Sequence, residues 1–220
     1  MEIQVMKRVL DRNQDKADTV RAKLKDLGIV MINFISSPGT GKTSLLDLIC
    51  RHLKDRFRLG IIEGDVATDR DAQRLKQHDL PIVLINTDGG CHLDSNSIEK
   101  ALEKMPLESL DAIFVENVGN LVCPTAFDLG EDFKFAMVST SEGDDKPIKY
   151  PMLFREARGV VLNKIDLIPH TDFNREDFER DLRLVNPRVS LFPISCRTHE
   201  GVDNFMHWFE NEISMGLKKL

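Results

Sequence analysis

The chain has 220 residues, 41% of them hydrophobic and 30% charged, with 30 lysines and arginines against 36 aspartates and glutamates and a net charge of −6. At roughly 150 residues per domain, this length holds one large domain or one domain with an appendage, and a core of that size persists without disulfides or metal. The acidic balance speaks against nucleic acid as a main partner, and no apolar run approaches the about 20 residues of a membrane span. With no apolar signal core near the N-terminus, a cytoplasmic protein is expected.

Residues 3–27 carry Ile3, Met6, Val9, Leu10, Ala17, Val20, Leu24 and Leu27 near helical spacing, and Gly28 ends the run. Residues 29–35 are apolar on both faces, the pattern of a buried parallel strand. A helix is expected over 43–56. Further strands fall near 58–63, 81–86, 111–116, 133–139, 158–162 and 189–194, with helices near 69–78, 94–105, 172–185 and 202–217. The alternation predicts an α/β fold with a mostly parallel central sheet and helices on both faces. Residues 1–28 read as an N-terminal helical segment and 29–220 as one nucleotide-binding domain. The stretch 140–151, TSEGDDKPIKYP, reads as a long loop, and the acidic run Glu142, Asp144, Asp145 in it as a solvated surface.

Between the first strand and the helix stands Ser36-Ser37-Pro38-Gly39-Thr40-Gly41-Lys42-Thr43-Ser44. The phosphate-loop pattern is GxxxxGK[ST], and Ser36 takes the place of its first glycine. The physical needs are still met. Gly39 and Gly41 let backbone N–H groups curl around a phosphate, and the helix N-terminus adds partial positive charge. Lys42 can reach the β/γ-phosphates, and the Thr43 hydroxyl can bind Mg²⁺.

The strand at 158–162 runs into Asn163-Lys164-Ile165-Asp166, an NKxD pattern suited to guanine. A carboxylate at Asp166 accepts from the ring N1–H and the exocyclic amine, groups that adenine does not offer in that arrangement. Ser195-Cys196-Arg197, after the last strand, is similar to the element that supports the base through backbone amides. GTP or GDP is therefore the expected ligand. Asp65 and Glu116 end two further strands, where ligands of such sheets sit, and are read as Mg²⁺ acids beside Thr43. Lys42, Thr43, Asp65 and Glu116 are the expected catalytic set. No glutamine or arginine stands out as a water-positioning residue, so slow hydrolysis is expected.

The four cysteines are Cys50, Cys91, Cys123 and Cys196, too widely spaced for a disulfide framework. Cys91-His92 and Cys123 each follow a strand toward one sheet edge, so the two thiolates, 32 positions apart, can meet. Thiolate and imidazole suit Zn²⁺ or Ni²⁺. One chain offers three soft ligands where closed zinc sites take four, which points to a site shared across a two-fold axis of a homodimer. Only seven positions separate Glu116 from Cys123, at most about 25 Å extended. A change at the γ-phosphate can therefore pull on a metal ligand. Cys50 and the remaining histidines, His52, His78, His170, His199 and His207, are read as core or surface residues.

Taken together, SSPGTGKTSLL, EGDVATDRDAQR, GGCHLD, ENVGNLVCPTAFDLGE, STSEGDDKPIKYP, LNKIDLIP and NPRVSLFPISCRTHEGVDNFMHWF resemble the hydrogenase nickel-incorporation GTPases, the HypB family. The resemblance covers nearly the whole chain. The urease-assisting UreG proteins are similar in class, but their usual Cys-Pro-His motif is absent from this sequence. The resemblance implies the SIMIBI class of P-loop GTPases and GTP-dependent homodimers. It also implies a metal site at Cys91, His92 and Cys123, and work with the zinc protein HypA in delivering nickel to the [NiFe]-hydrogenase large subunit. It further implies that Lys146 or Lys149 reaches the partner's nucleotide. The sequence begins MEIQVMKRVL, without the cysteine motif or histidine tract of some members, and holds Asn96 and Lys100 where others carry histidines. Both departures suggest a switchable site, not a storage site. The runner-up reading is a UreG-like GTPase for nickel insertion into urease; the others are a metal-binding adaptor that GTP only fixes as a dimer, and a kinase, which NKID disfavours.

Overall fold

A computed structural model describes residues 2–64, 75 and 77–218. In chain order the strands are β1 (Val30–Ser36), β2 (Leu59–Glu63), β3 (Ile82–Leu84), β4 (Ala112–Glu116), β5 (Phe133–Ser139), β6 (Ala157–Asn163) and β7 (Ser190–Pro193). The helices are α1 (Glu2–Asp26), α2 (Lys42–Leu53), α3 (Ser95–Leu102), α4 (Cys123–Ala126), α5 (Lys146–Lys149), α6 (Pro151–Glu156), α7 (Arg175–Val185) and α8 (Val202–Lys218). Among the described residues seven strands form one sheet in the order β3-β2-β4-β1-β5-β6-β7, and every pairing between them is parallel. The helix expected over 69–78 lies largely outside the described residues, and Asp65 lies wholly outside them.

β1 shows how the sequence builds two layers. Alternate residues of a strand face opposite sides of the sheet. Val30, Ile32 and Phe34 join the core under α2 and α8, where Phe34, Phe135 and Phe209 meet with ring centroids 5.5–5.9 Å apart. Trp208 of α8 is only partly buried at the edge of that core and packs on Phe192. On the opposite side, Met31 packs with α1 and α3, and Ile35 with α6 and α7. Asn33 lies between them at the seam of the two apolar clusters and is fully buried.

α1 ends as its sequence predicts: Gly28 takes φ +71°, and Ile29 N–H returns to Leu24 O at 2.9 Å. Its Val20 and Leu24 are buried in the same cluster as Ile62, Ile98 and Ile113, so the helix is part of the domain's packing.

The loop expected over 140–151 is a correction: the chain there is structured. Thr140–Glu142 is a 3₁₀ turn closed by a capping box, in which Ser139 and Glu142 satisfy each other's backbone N–H groups. Pro147 and Pro151 then stand in the first turns of α5 and α6, where a missing N–H costs nothing. The sequence has no apolar periodicity here, because these elements are each a single turn or two.

Candidate functional site

The strands' carboxyl ends form one edge, and the sheet order reverses at β1, where α/β sheets open a ligand crevice. The phosphate loop leaves β1 at this point. Gly41 caps α2 with φ +100°, a left-handed conformation that suits glycine. A Cβ there would also stand 2.7 Å from Asn163 Nδ2. The bare backbone lets Asn163 reach in and donate to Thr40 O at 2.8 Å, tying the base-reading segment to the phosphate loop. Ser36, in the usual glycine's place, accepts from Lys42 Nζ at 3.0 Å. Thr43 Oγ1 donates to Glu116 Oε1 at 3.0 Å.

The expected base pocket assembles from two segments. Pro38 and Gly39 lie in the loop beside it; Gly41, Ser44, Asn163, Lys164, Asp166, Ser195, Cys196 and Arg197 line a cavity of 330 Å³. That is at the lower end of small-ligand sites. Ser195 Oγ donates to Asp166 Oδ1 at 2.6 Å, fixing the carboxylate. Asn163 Oδ1 accepts from Cys196 N–H at 3.0 Å. Lys164 sits at φ +62°, a strained conformation for a non-glycine residue, and donates to Gly39 O at 2.7 Å. Burial pushes the Cys196 thiol up to about 12, so it lines the pocket as a neutral group. Burial does the same to Cys50 on α2, also about 12.

Cys91, His92 and Cys123 stand together, with one ligand atom from each within 4.8 Å of the others. Cys91 is exposed, while Cys123 and His92 are half-buried. The hydrogen bond with Cys91, then burial, raises the Cys123 pKa above the ordinary thiol value. Burial lowers the His92 pKa, against the pull of Asp94, and favours the neutral imidazole that binds metals. Phe127 stacks on the His92 ring at 3.8 Å between centroids. Asn120 Nδ2 donates to Cys91 O at 3.4 Å, so the second ligand loop also supports the first.

Three residues without an assigned role in the sequence prove central to the geometry. Asn117, buried beside Glu116, accepts from Leu93 N–H at 3.2 Å and donates to Asn33 Oδ1 at 3.1 Å. It joins the end of β4 to the residue after His92. Glu142, read from the sequence as solvated, instead accepts from Thr40 Oγ1 at 2.8 Å and from Ser139, with its side chain 14% exposed. Asn13 is buried on α1 in register with Ala17, Val20 and Leu24. A polar residue inside an apolar helical stripe was the available signal for it.

Gly119 brings the two halves of the site together. Its Cα lies so close to the phosphate loop that a Cβ would meet Pro38 N at 3.0 Å and Pro38 Cα at 3.1 Å. The segment 116–123 therefore touches the phosphate loop at Gly119, the Cys91–His92 loop through Asn117 and Asn120, and itself ends in Cys123.

Residues 30–193 match the family described as CobW/HypB/UreG, nucleotide-binding domain. The hydrogenase maturation factor HypB of Rhizobium leguminosarum bv. viciae is 46% identical over 208 residues, covering 94% of this chain and 70% of that protein. The probable hydrogenase maturation factor HypB of Methanocaldococcus jannaschii is 36% identical and covers 96% of each chain. Among solved structures, HypB from Helicobacter pylori in complex with nickel superposes with a TM-score of 0.87 at 32% identity, covering 94% of this chain and 97% of that one. The signal recognition particle 54 kDa protein of Aeropyrum pernix, at 13% identity and a TM-score of 0.56, covers 76% of this chain and 41% of its own and shares the fold alone. The chain belongs to the CobW/HypB/UreG family of P-loop GTPase domains, within its HypB branch.

Proposed function

We propose that this protein is a GTP-hydrolysing metallochaperone that holds nickel or zinc at Cys91, His92 and Cys123 and releases it under control of the bound nucleotide, in support of [NiFe]-hydrogenase maturation. One observation carries the reading. The strand-end segment from Glu116 to Cys123 contacts the phosphate loop through Thr43 and Pro38 and the first ligand loop through Asn117. A change at the γ-phosphate therefore has a short, packed path to the metal ligands, as in switch segments that loosen on hydrolysis.

The nucleotide side follows from the donor set. Backbone N–H groups of 39–44 and Lys42 neutralise the phosphates, and Asp166 reads guanine. The adjacent Thr43 hydroxyl and Glu116 carboxylate are hard oxygen ligands that fit Mg²⁺, which when bound offsets charge on the phosphates. Asp65 is proposed as a further acid. No arginine finger is assigned, and turnover is expected to be slow.

On the metal side, three soft ligands at an exposed position suit a site completed by a second subunit. Val122, next to Cys123, is 56% exposed, as an apolar residue of a subunit contact would be in the separated chain. The homodimer is proposed to form on GTP. Lys149 projects at the surface in an ion pair with Asp145, and Lys146 stands 3.9 Å from Glu142. Either lysine is within the segment proposed to meet the partner's nucleotide. A HypA-type zinc protein and the hydrogenase large subunit are the proposed partners, in the cytoplasm.

Single-turnover GTP hydrolysis by the wild type and Lys42→Ala tests the enzyme reading; equal rates would remove it. Titration of Ni²⁺ and Zn²⁺ into the wild type, Cys91→Ser and Cys123→Ser tests the cargo site. Unchanged stoichiometry in both variants would remove that site.

A further inference from the structure

The segments that follow the two ligand loops are both tied to α1, outside the nucleotide and metal sites. Asn13 is buried, and its amide works in both directions. Its Oδ1 accepts from Ser95 N–H at 2.9 Å and from Ser95 Oγ at 2.9 Å, while its backbone carbonyl accepts from the same hydroxyl at 2.8 Å. Its Nδ2 donates to Asp128 O at 2.7 Å. Ser95 opens α3, three positions after His92, and Asp128 follows Cys123 by five. One side chain thus grips the backbone behind both ligand loops. The neighbouring contacts of α1 follow the same plan: Arg21 pairs with the Asp128 carboxylate at 2.6 Å, and Lys16 pairs with Glu99 of α3 at 2.8 Å. Phe127, between Cys123 and Asp128, carries the grip to the His92 ring.

We propose that Asn13 is a positioning residue for the Cys91–His92–Cys123 cluster, so that α1 sets the spacing of the metal ligands; this rests on the reading of that cluster as a metal site. Groups that hydrogen-bond a metal ligand directly change metal affinity by roughly ten- to a hundredfold when lost, and Asn13 acts at one remove, through Ser95 and Asp128, so the lower end of that range is the expected scale. The buried position explains why asparagine, with one acceptor and one donor group, serves here. Aspartate keeps the acceptance from Ser95 and loses the donation to Asp128 O. Alanine loses both side-chain contacts.

The test compares the wild type, Asn13→Ala, Asn13→Asp and Arg21→Ala, loaded with Ni²⁺ and with Zn²⁺. Metal affinity is measured by competition with a chromophoric chelator, and the nickel–thiolate charge-transfer band is recorded. Thermal unfolding shows that each variant is folded at the working temperature. Asn13→Ala is expected to weaken binding about tenfold or more and to shift the band, with Asn13→Asp between it and the wild type. Arg21→Ala, which leaves the amide contacts in place, is expected to stay within about threefold of the wild type. A lower melting temperature with unchanged affinity and band in both Asn13 variants would reduce Asn13 to a structural residue and overturn the proposal. Should Asn13→Ala fail to fold, unchanged affinity and band in Asn13→Asp alone would overturn it. A wild type without any thiolate band would overturn the metal reading itself, and the role of Asn13 with it.

Discussion

Thr43 donates its hydroxyl proton to Glu116 at 3.0 Å, joining the first turn of α2 to the end of β4. The residue that follows Glu116 holds the backbone next to His92, and seven positions after Glu116 stands Cys123. Nucleotide chemistry and metal binding thus share one strand end. Glu116→Gln keeps the shape and removes the charge. Single-turnover hydrolysis is expected to fall roughly a hundredfold, the scale of losing one preorganised electrostatic contact. A rate within about twofold of the wild type would place Glu116 outside the hydrolytic site.

Gly119 permits the close approach of the same segment to Pro38. A methyl group there meets backbone, which cannot swing aside as a long side chain can. Overpacking of this kind costs about 1–3 kcal/mol. Gly119→Ala is expected to weaken binding of a fluorescent GDP analogue by about tenfold. It should also change the nickel–thiolate band, because the strain is shared by the loop that ends in Cys123. Unchanged nucleotide affinity would mean that the two loops separate without cost.

Asp166 faces the base cavity with its carboxylate fixed by Ser195. Hydrogen bonds to charged groups contribute roughly 1.5–3 kcal/mol each, and guanine offers two. Asp166→Asn is expected to lower GTP affinity by about a hundredfold or more. Xanthosine triphosphate, with a carbonyl where guanine has its amine, is expected to bind the variant better than GTP does. A variant that keeps its preference for GTP would show that Asp166 does not read the base.

The α1 junction carries a pH signature. Burial pushes the Asp128 carboxyl up, but the Gly130 N–H, Arg21, Gln14 and Glu131 outweigh it and hold the group down at about 2. The unfolded value is near 3.9, so the ionised form is favoured in the fold. This contribution is fully present above the unfolded value and is lost as pH falls through about 2. Burial, aided by the charge of Asp128, raises the Glu131 pKa, and that group works in the opposite sense above its own unfolded value. Denaturant unfolding of the wild type and Asp128→Asn between pH 5 and pH 2 isolates the Asp128 share. The stability gap is expected to narrow as pH falls, and a constant gap would contradict it.

The local features of this protein were readable from the sequence. The phosphate loop and NKID are contiguous, each set by its neighbours in the chain, and buried parallel strands announce themselves as apolar runs such as β1. Even the meeting of Cys91 and Cys123 followed from both loops leaving one sheet edge. Asn13, Asn117 and Glu142 were not readable in the same way, since each acts through a contact with a residue far along the chain. Asn13 reaches Asp128, and Glu142 reaches Thr40. Glu142 also shows why composition misleads: in an acidic run it looks solvated, yet it caps a turn and binds the phosphate loop. The all-parallel arrangement of the described strands sharpened an expectation that had allowed an antiparallel member.

The most direct test of the account is the affinity of Ni²⁺ and Zn²⁺ for the same protein saturated with GDP or with a non-hydrolysable GTP analogue, measured by calorimetry at one pH. Coupled sites typically differ by about fivefold or more between the two states. The wild type is expected to show such a difference, and Cys91→Ser and Cys123→Ser to lose it. Equal metal affinity in the two nucleotide states, with both nucleotides shown to be bound, would contradict it.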